Sequence, residues 1–338
     1  MVDSGKLPAA ILARLLSEAR TDASVLIGPA LGEDAAAVRF GGRILIAAAD
    51  PVTFTTDRIG HYAVNVNAND IAVMGGTPRW FLATVLLPRG STEADAESVF
   101  REVERACGEA GVVLVGGHTE ITDAVTRTVV SGCMLGVATL GSLVCSGGAR
   151  PGDVVILVGG YAIEGVSILA REAADDLRAR GVSEETISTA AAYIDCPGIS
   201  VVEYASVATG VGGVTAMHDP TEGGIATALR EMAAASGHGI IVERSIVAQE
   251  LAPCTEICAA LGLDALGLIA SGCLLLSVMP EKRDALLEAY DGRGIRAAVV
   301  GRIAGDAEGV RFEDGADLPS FDRDEIARYF DERDNSAG

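Results

Sequence analysis

The stretch Asn67-Ala-Asn-Asp-Ile-Ala-Val-Met-Gly-Gly-Thr-Pro78 contains two asparagines and an aspartate, followed by a Gly-Gly-Thr-Pro sequence that favours the end of a helix. Glycines followed shortly by proline are typical of a helix C-terminus, so this stretch predicts a helix over residues 62–74. Asn67 and Asp70 stand three positions apart, which places both side chains on one face of that helix. The apolar run that follows predicts a strand over residues 80–87.

Strands and helices alternate irregularly on both sides of this helix. A hairpin with its turn at Gly41-Gly42 is predicted before it, and a short strand over residues 112–115 after it. Residues 147–153 contain several glycines and one proline, and this composition is the best indication of a domain boundary in the chain. We therefore predict an α+β protein with two mixed α/β domains rather than one doubly wound sheet. The predicted divisions are an N-terminal domain 1–148, a C-terminal α/β domain 149–305, and an acidic C-terminal segment 306–338. This segment contains one predicted helix, residues 324–330, and its sequence indicates nothing about its role beyond solubility.

The chain has 338 residues, 49% of them hydrophobic, which is enough for about two domains with sizeable cores. Its net charge of −21 repels phosphate backbones and anionic lipids, so we expect neither nucleic acid nor a membrane as a partner. The uncharged residues 128–149 are rich in Gly, Ser and Thr and predict a buried strand rather than a membrane span. A secretory signal is missing, and the seven scattered cysteines are interpreted as reduced thiols, which together predict a cytoplasmic protein.

Several common enzyme motifs are missing from the chain. The two lysines, Lys6 and Lys282, do not stand in a Gly-x4-Gly-Lys-Ser/Thr sequence, which excludes a P-loop. The Gly292-x-Gly294 pair follows a predicted helix, the reverse of the order in dinucleotide-binding folds. Gly-x-Ser-x-Gly and His-Glu-x-x-His are also absent, which disfavours serine hydrolases and zinc proteases.

The chain does contain a series of acids next to glycines at the ends of predicted elements. They are Glu33 and Asp34 in a glycine-flanked loop, Asp50 after a strand, Asp70 in the helix, Glu120 in Gly116-Gly117-His118-Thr119-Glu120, and Asp219 and Glu222 before Gly223-Gly224. Mg²⁺ prefers oxygen ligands, and glycines let backbone N–H groups approach phosphate oxygens closely. Because carboxylates alone would repel a triphosphate, the series predicts a nucleotide that is held chiefly through Mg²⁺.

Each of these motifs also has a simpler interpretation. Asp219-Pro-Thr-Glu222 is an ordinary helix start with Asp or Thr as the cap, Asp70 alone is a solvated helix acid, and Asp50 can begin a turn. Of the four histidines, His118 after two glycines is the most suggestive, and the other three are expected in loops or on the surface. Only the order of the motifs along the chain favours the functional interpretation.

That order resembles the aminoimidazole-ribonucleotide (AIR) synthetase-like superfamily, which includes thiamine-monophosphate kinase, selenophosphate synthetase and the hydrogenase-maturation dehydratase HypE. The matching segments are Gly32-Glu-Asp-Ala-Ala36, Asp50 after a strand, residues 67–78, Gly116-Gly-His-Thr119, Ala149-Arg-Pro-Gly-Asp153 and Asp219-Pro-Thr-Glu-Gly-Gly224. The resemblance implies an N-terminal domain that dimerises into a shared β-barrel, and a C-terminal α/β domain. It also implies ATP bound between the domains and across a homodimer.

The resemblance implies roles for individual residues as well. Asp34, Asp50, Asp70 and Asp219 correspond to Mg²⁺ ligands, Gly116, Gly117, His118 and Thr119 to a turn that contacts phosphates, and Asn67 to a contact on the nucleotide side. Glu33, His118, Glu120 and Glu222 are the candidates for moving protons. Ala48-Ala49 stands where the superfamily has two threonines, so two hydroxyl ligands are missing and the number of metal ions stays open.

Within the superfamily, residues 219–224 look most like the Asp-Pro-Thr-Arg-Gly-Gly motif of HypE, which dehydrates a thiocarboxamide on its own C-terminal cysteine. The last cysteine here is Cys273, so we expect a different substrate. Our first hypothesis is an Mg²⁺-ATP-dependent enzyme that phosphorylates an amide or acid oxygen, or a small-molecule acceptor, with a maturation protein as a further partner. The alternatives are a nucleotide-binding accessory protein without turnover and a structural scaffold that binds no nucleotide.

Overall fold

The computed structural model describes residue 7 and residues 9–30, 32–53, 55–305 and 309–336. Contacts divide the chain into two units, named here by their positions. The N-terminal unit consists of residues 20–29 and 34–143, and the C-terminal unit of residues 30–33 and 144 onward together with helix α1 (Ala9–Leu16). Each unit combines helices with a sheet, which confirms the predicted α+β class with two mixed α/β domains. The predicted domain boundaries stay predictions.

The N-terminal unit has one mixed sheet and two helices. Its elements are β1 (Val25–Ile27), β2 (Ala36–Phe40), β3 (Arg43–Ala48), β4 (Pro51–Val52), α2 (Ile59–Val73), β5 (Thr77–Pro88), α3 (Glu93–Glu109), β6 (Val113–Thr122) and β7 (Val129–Ala138). The strand order is β1–β2–β3–β7–β5–β6, with β4 also paired to β7. Strands β5 and β6 are parallel, and α3 supplies the long crossover that a parallel pair needs.

Helix α2 packs closely on β7 because β7 carries glycines beneath it. A Cβ atom at Gly132 would collide with the side chains of Asn67 and Phe81, and one at Gly136 would collide with Ile71. The helix is buried along almost its whole length, so its polar side chains lie inside the unit rather than on its surface. The predicted helix is confirmed, and it ends before Gly75 as the Gly-Gly-Thr-Pro sequence indicates.

The C-terminal unit contains a second sheet, with strand order β13–β10–β12–β8–β11–β9. Its elements are β8 (Val154–Val158), α4 (Ile163–Glu172), α5 (Ala174–Ala179), α6 (Glu184–Ala191), α7 (Val202–Val211), β9 (Val214–His218), α8 (Gly224–Ser236), β10 (Ile240–Val242), α9 (Ala252–Leu261), β11 (Leu274–Val278), α10 (Arg283–Asp291), β12 (Ala297–Ile303), β13 (Val310–Phe312) and α11 (Glu325–Ser336). Strand β11 is buried at every position, as expected for a central strand covered on both faces. Among the helices of the described residues, none is long and apolar enough to cross a membrane.

The acidic C-terminal segment forms part of the C-terminal unit. Strand β13 adds to the sheet beside β10. The hydroxyl of Tyr329 in α11 donates a hydrogen bond to Asp176 at 2.8 Å, and Arg328 donates to the carbonyl of Gly262 at 2.9 Å. The described part of this segment, residues 309–336, is therefore bonded to residues far away in the sequence, and the helix predicted over residues 324–330 is present as α11.

Candidate functional site

Two of the predicted metal ligands leave the same end of a hairpin in the N-terminal unit. In the pairing of β2 with β3, Ala36 lies opposite Ala47. Asp34 precedes this pair on one strand, and Asp50 follows it on the other. The register therefore brings the two acids into adjacent segments at one end of the sheet, where both are partly exposed.

The side chain of Asn67 holds the backbone of Asp50 from both sides. Its Oδ1 accepts the Asp50 N–H at 2.9 Å, and its Nδ2 donates to the Asp50 carbonyl at 3.2 Å. The same Nδ2 donates to the carbonyl of Ala63 at 2.8 Å, and Asn67 is completely buried. Because these bonds use only the backbone of Asp50, they fix the residue without engaging its carboxylate. The predicted contact of Asn67 with nucleotide stays a prediction.

The third predicted metal ligand of this unit, Asp70, lies on α2. It follows Asn67 by three positions on α2 and is only 5% exposed. Burying a carboxylate is costly unless hydrogen-bond donors or a cation stabilise it. Asp34, Asp50 and Asp70 offer hard oxygen atoms, which is the donor chemistry that Mg²⁺ prefers. We name these three residues the N-terminal acid group, and they fit the metal that the resemblance implies.

The predicted phosphate-contacting turn lies inside a strand. Gly116, Gly117, His118 and Thr119 belong to β6, so the expectation of a strand that ends at residue 115 is wrong. The pairing with β5 shifts by one residue just before Gly116, which is a β-bulge. A Cβ atom at Gly117 would collide with the backbone of Ala83. The two glycines therefore serve strand pairing, a long-range requirement that resembles a turn signal in the sequence.

His118 and Glu120 form an exposed pair on β6. Their Nε2 and Oε2 atoms are 3.1 Å apart, and the side chains are 63% and 46% exposed. Next to them, Thr119 lines a cavity of about 360 Å³ together with Val85 and Phe100. His118 and Glu120 thus share one face of β6 at the edge of the N-terminal sheet, and Thr119 between them lies on the other face.

In the C-terminal unit, Asp219 directly follows β9 and is 1% exposed. The residue before it, His218, is 6% exposed, and its Nε2 lies 2.9 Å from Oε2 of Glu231 on α8. The expectation that His218 lies in a loop or on the surface is therefore wrong. The apolar strand that carries it extends one residue further than its sequence pattern indicates, and the strand end is covered by α8.

The two remaining candidate acids also lie in the C-terminal unit. Glu33 accepts the backbone N–H of Ser146 at 3.3 Å through its Oε2. Glu222 is partly buried and directly precedes Gly223, the N-cap residue of α8. The carboxylate of Glu33 is therefore held by a backbone N–H group, and Glu222 lies within the motif of residues 219–224.

The sequence did not point to two buried acids near this motif. Glu164 on α4 accepts the N–H of Ser271 at 3.3 Å, and burial raises the pKa of its carboxyl to about 7. Asp324 accepts the N–H of Gly223 at 2.6 Å, and burial raises its pKa to about 6. Glu222 contributes to both upward pKa shifts through charge repulsion. We name Glu164, Glu222 and Asp324 the C-terminal acid group. The sequence placed Glu164 and Asp324 only as acids at the starts of predicted helices. Because acids are common there in surface helices, this position did not indicate that the two residues are buried.

Sequence profiles of one protein family match both units. The N-terminal domain of AIR synthase related proteins matches residues 32–138, and the C-terminal domain of the same family matches residues 150–313. Together the two profiles cover well over half of the chain. The chain belongs to this family.

Relatives identify this AIR synthase related protein as HypE-like. It is 31% identical over 288 residues to the carbamoyl dehydratase HypE of Cupriavidus necator. The matched region covers 81% of this chain and 78% of that protein. It is 28% identical over 290 residues to a putative hydrogenase expression/formation protein of Methanocaldococcus jannaschii. That match covers 83% of this chain and 82% of the relative. The predicted superfamily and the predicted likeness to HypE are confirmed.

Solved structures share the fold. HypE in complex with ATP has a TM-score of 0.68 at 23% identity, covering 94% of this chain and 91% of that one. The protein AaThiL, complexed with AMPPCP and TMP, has a TM-score of 0.69 at 21% identity, covering 86% and 91%. A HypE–HypF complex gives 0.69 at 22% identity, covering 87% and 94%. At these identities the likeness shows the fold alone.

Proposed function

We propose that this protein is an Mg²⁺-ATP-dependent enzyme that transfers a phosphoryl group to the oxygen of an amide, an acid or a small-molecule acceptor. The observations that carry the proposal are that Asp34 and Asp50 leave the same end of one hairpin, and that Asn67, on the same helix as Asp70, binds the backbone of Asp50. The solved complexes of its structural neighbours, one with ATP and one with AMPPCP, support a nucleotide as the ligand.

Each candidate residue has a role in this proposal. Asp34, Asp50 and Asp70 would hold Mg²⁺, which supplies the positive charge that phosphoryl transfer needs. Asn67 keeps Asp50 in place, and Asp219 is proposed as a further ligand. The proposed phosphate contacts are Gly116, Gly117, His118 and Thr119. His118 and Glu120 are close enough to share a proton, and Glu33 and Glu222 are the other proposed proton carriers.

Calorimetry with ATP, with and without Mg²⁺, tests the proposal first. We expect ATP to bind only when Mg²⁺ is present, because the acids alone repel the phosphates. Release of ADP or AMP is then followed with candidate carboxamides and small acceptors. Binding of ATP that does not depend on Mg²⁺, or a failure to bind it at all, contradicts the proposal.

The second candidate is a nucleotide-binding accessory protein without turnover. It is favoured by Ala48, which lies at the end of β3 beside the N-terminal acid group and offers no oxygen ligand. Tight Mg²⁺-ATP binding with no release of ADP or AMP under any condition would favour this candidate over the enzyme.

We also propose that the protein is a homodimer formed through β6. This strand lies at the edge of the N-terminal sheet, and Val113, Val115 and Ile121 on it are more than half exposed. A long exposed edge with apolar side chains is a ready site for pairing with another strand. Ile121→Lys is expected to shift the mass measured by light scattering from dimer to monomer. Exposed Leu140→Lys, outside β6, is the control and should leave the mass unchanged.

The acceptor is proposed to be a carboxamide or another small molecule, with a maturation protein as partner. The support is the dehydratase activity in the name of HypE and the solved HypE–HypF complex. Co-purification followed by mass spectrometry in a host that contains the neighbouring genes would identify both. Recovery of the protein alone from such a host would count against the partner.

A further inference from the structure

Asp324 joins the N-termini of two helices in the C-terminal unit. It directly precedes α11, and its Oδ1 accepts the N–H of Ile326 at 2.8 Å, which is a typical N-cap contact. Its Oδ2 accepts the N–H of Gly223, which directly precedes α8, at 2.6 Å and across 101 positions of sequence. The residue is only 6% exposed. A single buried carboxylate therefore caps both helices, where the helix dipoles favour its negative charge.

The chain on both sides of Asp324 is anchored independently. The ring of Phe321 lies so close to Gly267 that a Cβ atom there would collide with it. On the other side, Oε2 of Glu325 accepts the N–H of Asp264 at 2.9 Å. These contacts hold the carboxylate of Asp324 in place from outside the loop of residues 219–224.

The loop itself depends on this outside contact. Gly223 has a φ of 78° and no side chain, so it cannot cap α8 in the way that Ser, Thr, Asp or Asn would. A Cβ atom at Gly224 would collide with the backbone of Leu266 and Leu268, so the loop is packed against a neighbouring segment. Because Glu222 is bonded directly to Gly223, its backbone position follows that of the Gly223 N–H.

The charge of Asp324 is costly where it stands. Glu222 repels it, and it is itself one source of repulsion on Glu164. An apolar residue would avoid this repulsion but could not accept the N–H of Gly223.

We propose that Asp324 is a positioning residue, which holds Gly223 and through it the Asp219–Glu222 segment in the arrangement that Mg²⁺-ATP requires. This inference rests on the proposed function. It assigns the C-terminal segment a part in the site, although Asp324 itself need not touch nucleotide or metal.

Three variants test the inference in the full-length protein. Asp324→Ala removes the contacts to Gly223 and Ile326, together with a third hydrogen bond from the backbone of Ile269, and Asp324→Asn keeps one carbonyl oxygen in nearly the same shape. Asp331→Asn is the matched control, because Asp331 is an exposed acid on α11 that pairs with Arg323. For each variant we would measure the Mg²⁺ concentration needed for ATP binding, the exchange of the backbone amides of residues 219–224 with deuterium, and the melting temperature.

Asp324→Ala is expected to raise the required Mg²⁺ concentration about tenfold, as loss of a residue that orients a ligand does, and to speed up exchange in residues 219–224. Asp324→Asn should fall between it and the wild type, and it carries the test if the alanine variant does not fold. A mere loss of stability would lower the melting temperature without changing the Mg²⁺ requirement, and that result overturns the inference. A wild-type protein that does not bind Mg²⁺-ATP overturns the proposed function instead.

Discussion

The two units each contain a group of acids. Hydrogen bonds from neighbouring residues involve the backbone of an acid in one group and the carboxylates of acids in the other. In the N-terminal acid group, the side chain of Asn67 binds the backbone of Asp50. In the C-terminal acid group, backbone N–H groups bind the carboxylates of Asp324 and Glu164. The first arrangement fixes an acid while its carboxylate keeps its capacity to bind a cation, whereas the second uses the carboxylates to hold loops.

This difference teaches that a cluster of acids does not by itself indicate a metal site. Both groups consist of acids that are at least partly buried in their units. Asp50 differs from Asp324 and Glu164 in the atoms that neighbouring polar groups bind, which are backbone atoms in Asp50 and carboxylate oxygens in the other two. If the comparison is right, substitutions in the N-terminal acid group should mainly change Mg²⁺-ATP binding and turnover, and substitution of Glu164 should mainly change stability.

The largest effect is expected from Asp50→Asn. The variant keeps the backbone bonds to Asn67 but removes a negative charge from the N-terminal acid group, so the fold should survive while the metal is lost. We expect Mg²⁺-dependent release of ADP or AMP to fall by roughly 10²–10³-fold, the usual size of the effect when one charge-stabilising group is removed. The melting temperature should change little.

Asp123→Asn is the control for this substitution. Asp123 lies in the same unit, but it is exposed and paired with Arg89. Exposed ion pairs contribute about 0–1 kcal/mol, so neither activity nor stability should change much. Equal activity of Asp50→Asn and Asp123→Asn would remove the N-terminal acid group from the proposed site.

A smaller effect is expected from Asn67→Ala. The substitution leaves the N–H of Asp50 without its partner, at a cost of about 1–3 kcal/mol if that group stays unsatisfied, whereas the carbonyl of Asp50 still accepts the N–H of Gly132 at 2.9 Å. Because Asp50 is then no longer held, Mg²⁺-ATP affinity should fall by about 10–100-fold, as when other residues that orient ligands are replaced. Calorimetry and thermal unfolding measure the two effects separately.

Asn65→Ala is the matched control, since Asn65 lies on the same helix and donates to the carbonyl of His61 at 2.9 Å, not to Asp50. It should lower stability but leave Mg²⁺-ATP affinity unchanged. If both variants weaken Mg²⁺-ATP binding equally, the effect of Asn67 comes from the helix as a whole and not from its hold on Asp50.

The sequence was sufficient to predict elements whose structure depends on residues close by in the chain. Helix α2 ends at its glycines, and the hairpin turns at Gly41-Gly42, as their local patterns predict. The sequence was not sufficient where a contact between residues far apart in the chain determines the local structure. The collision that a side chain at Gly117 would make with Ala83 depends on strand pairing, and the contact of Asp324 with Gly223 spans 101 residues. No local pattern carries such information, so Gly116-Gly117 indicated a turn and the role of Asp324 went unseen.

The last prediction concerns Glu164 and its effect on stability. Burial raises the pKa of its carboxyl from 4.5 to about 7 in the folded state. The folded protein therefore binds this proton more tightly than the unfolded chain does. The resulting stability is fully present below about pH 4.5 and is lost as the pH rises through about 7.

Glu164→Gln should remove this part of the pH dependence, because glutamine keeps an oxygen for the N–H of Ser271 but does not ionise. In urea unfolding at pH 8, we expect the variant to be more stable than the wild type by on the order of 2 kcal/mol, and at pH 5 by much less. Some pH dependence should remain, because the pKa of Asp324 is also raised, to about 6. Exposed Glu185→Gln is the control, and its pH dependence should match that of the wild type. A Glu164→Gln variant whose stability falls with pH as steeply as the wild type, or whose Mg²⁺-ATP affinity falls as far as that of Asp50→Asn, would erase the distinction between the two acid groups.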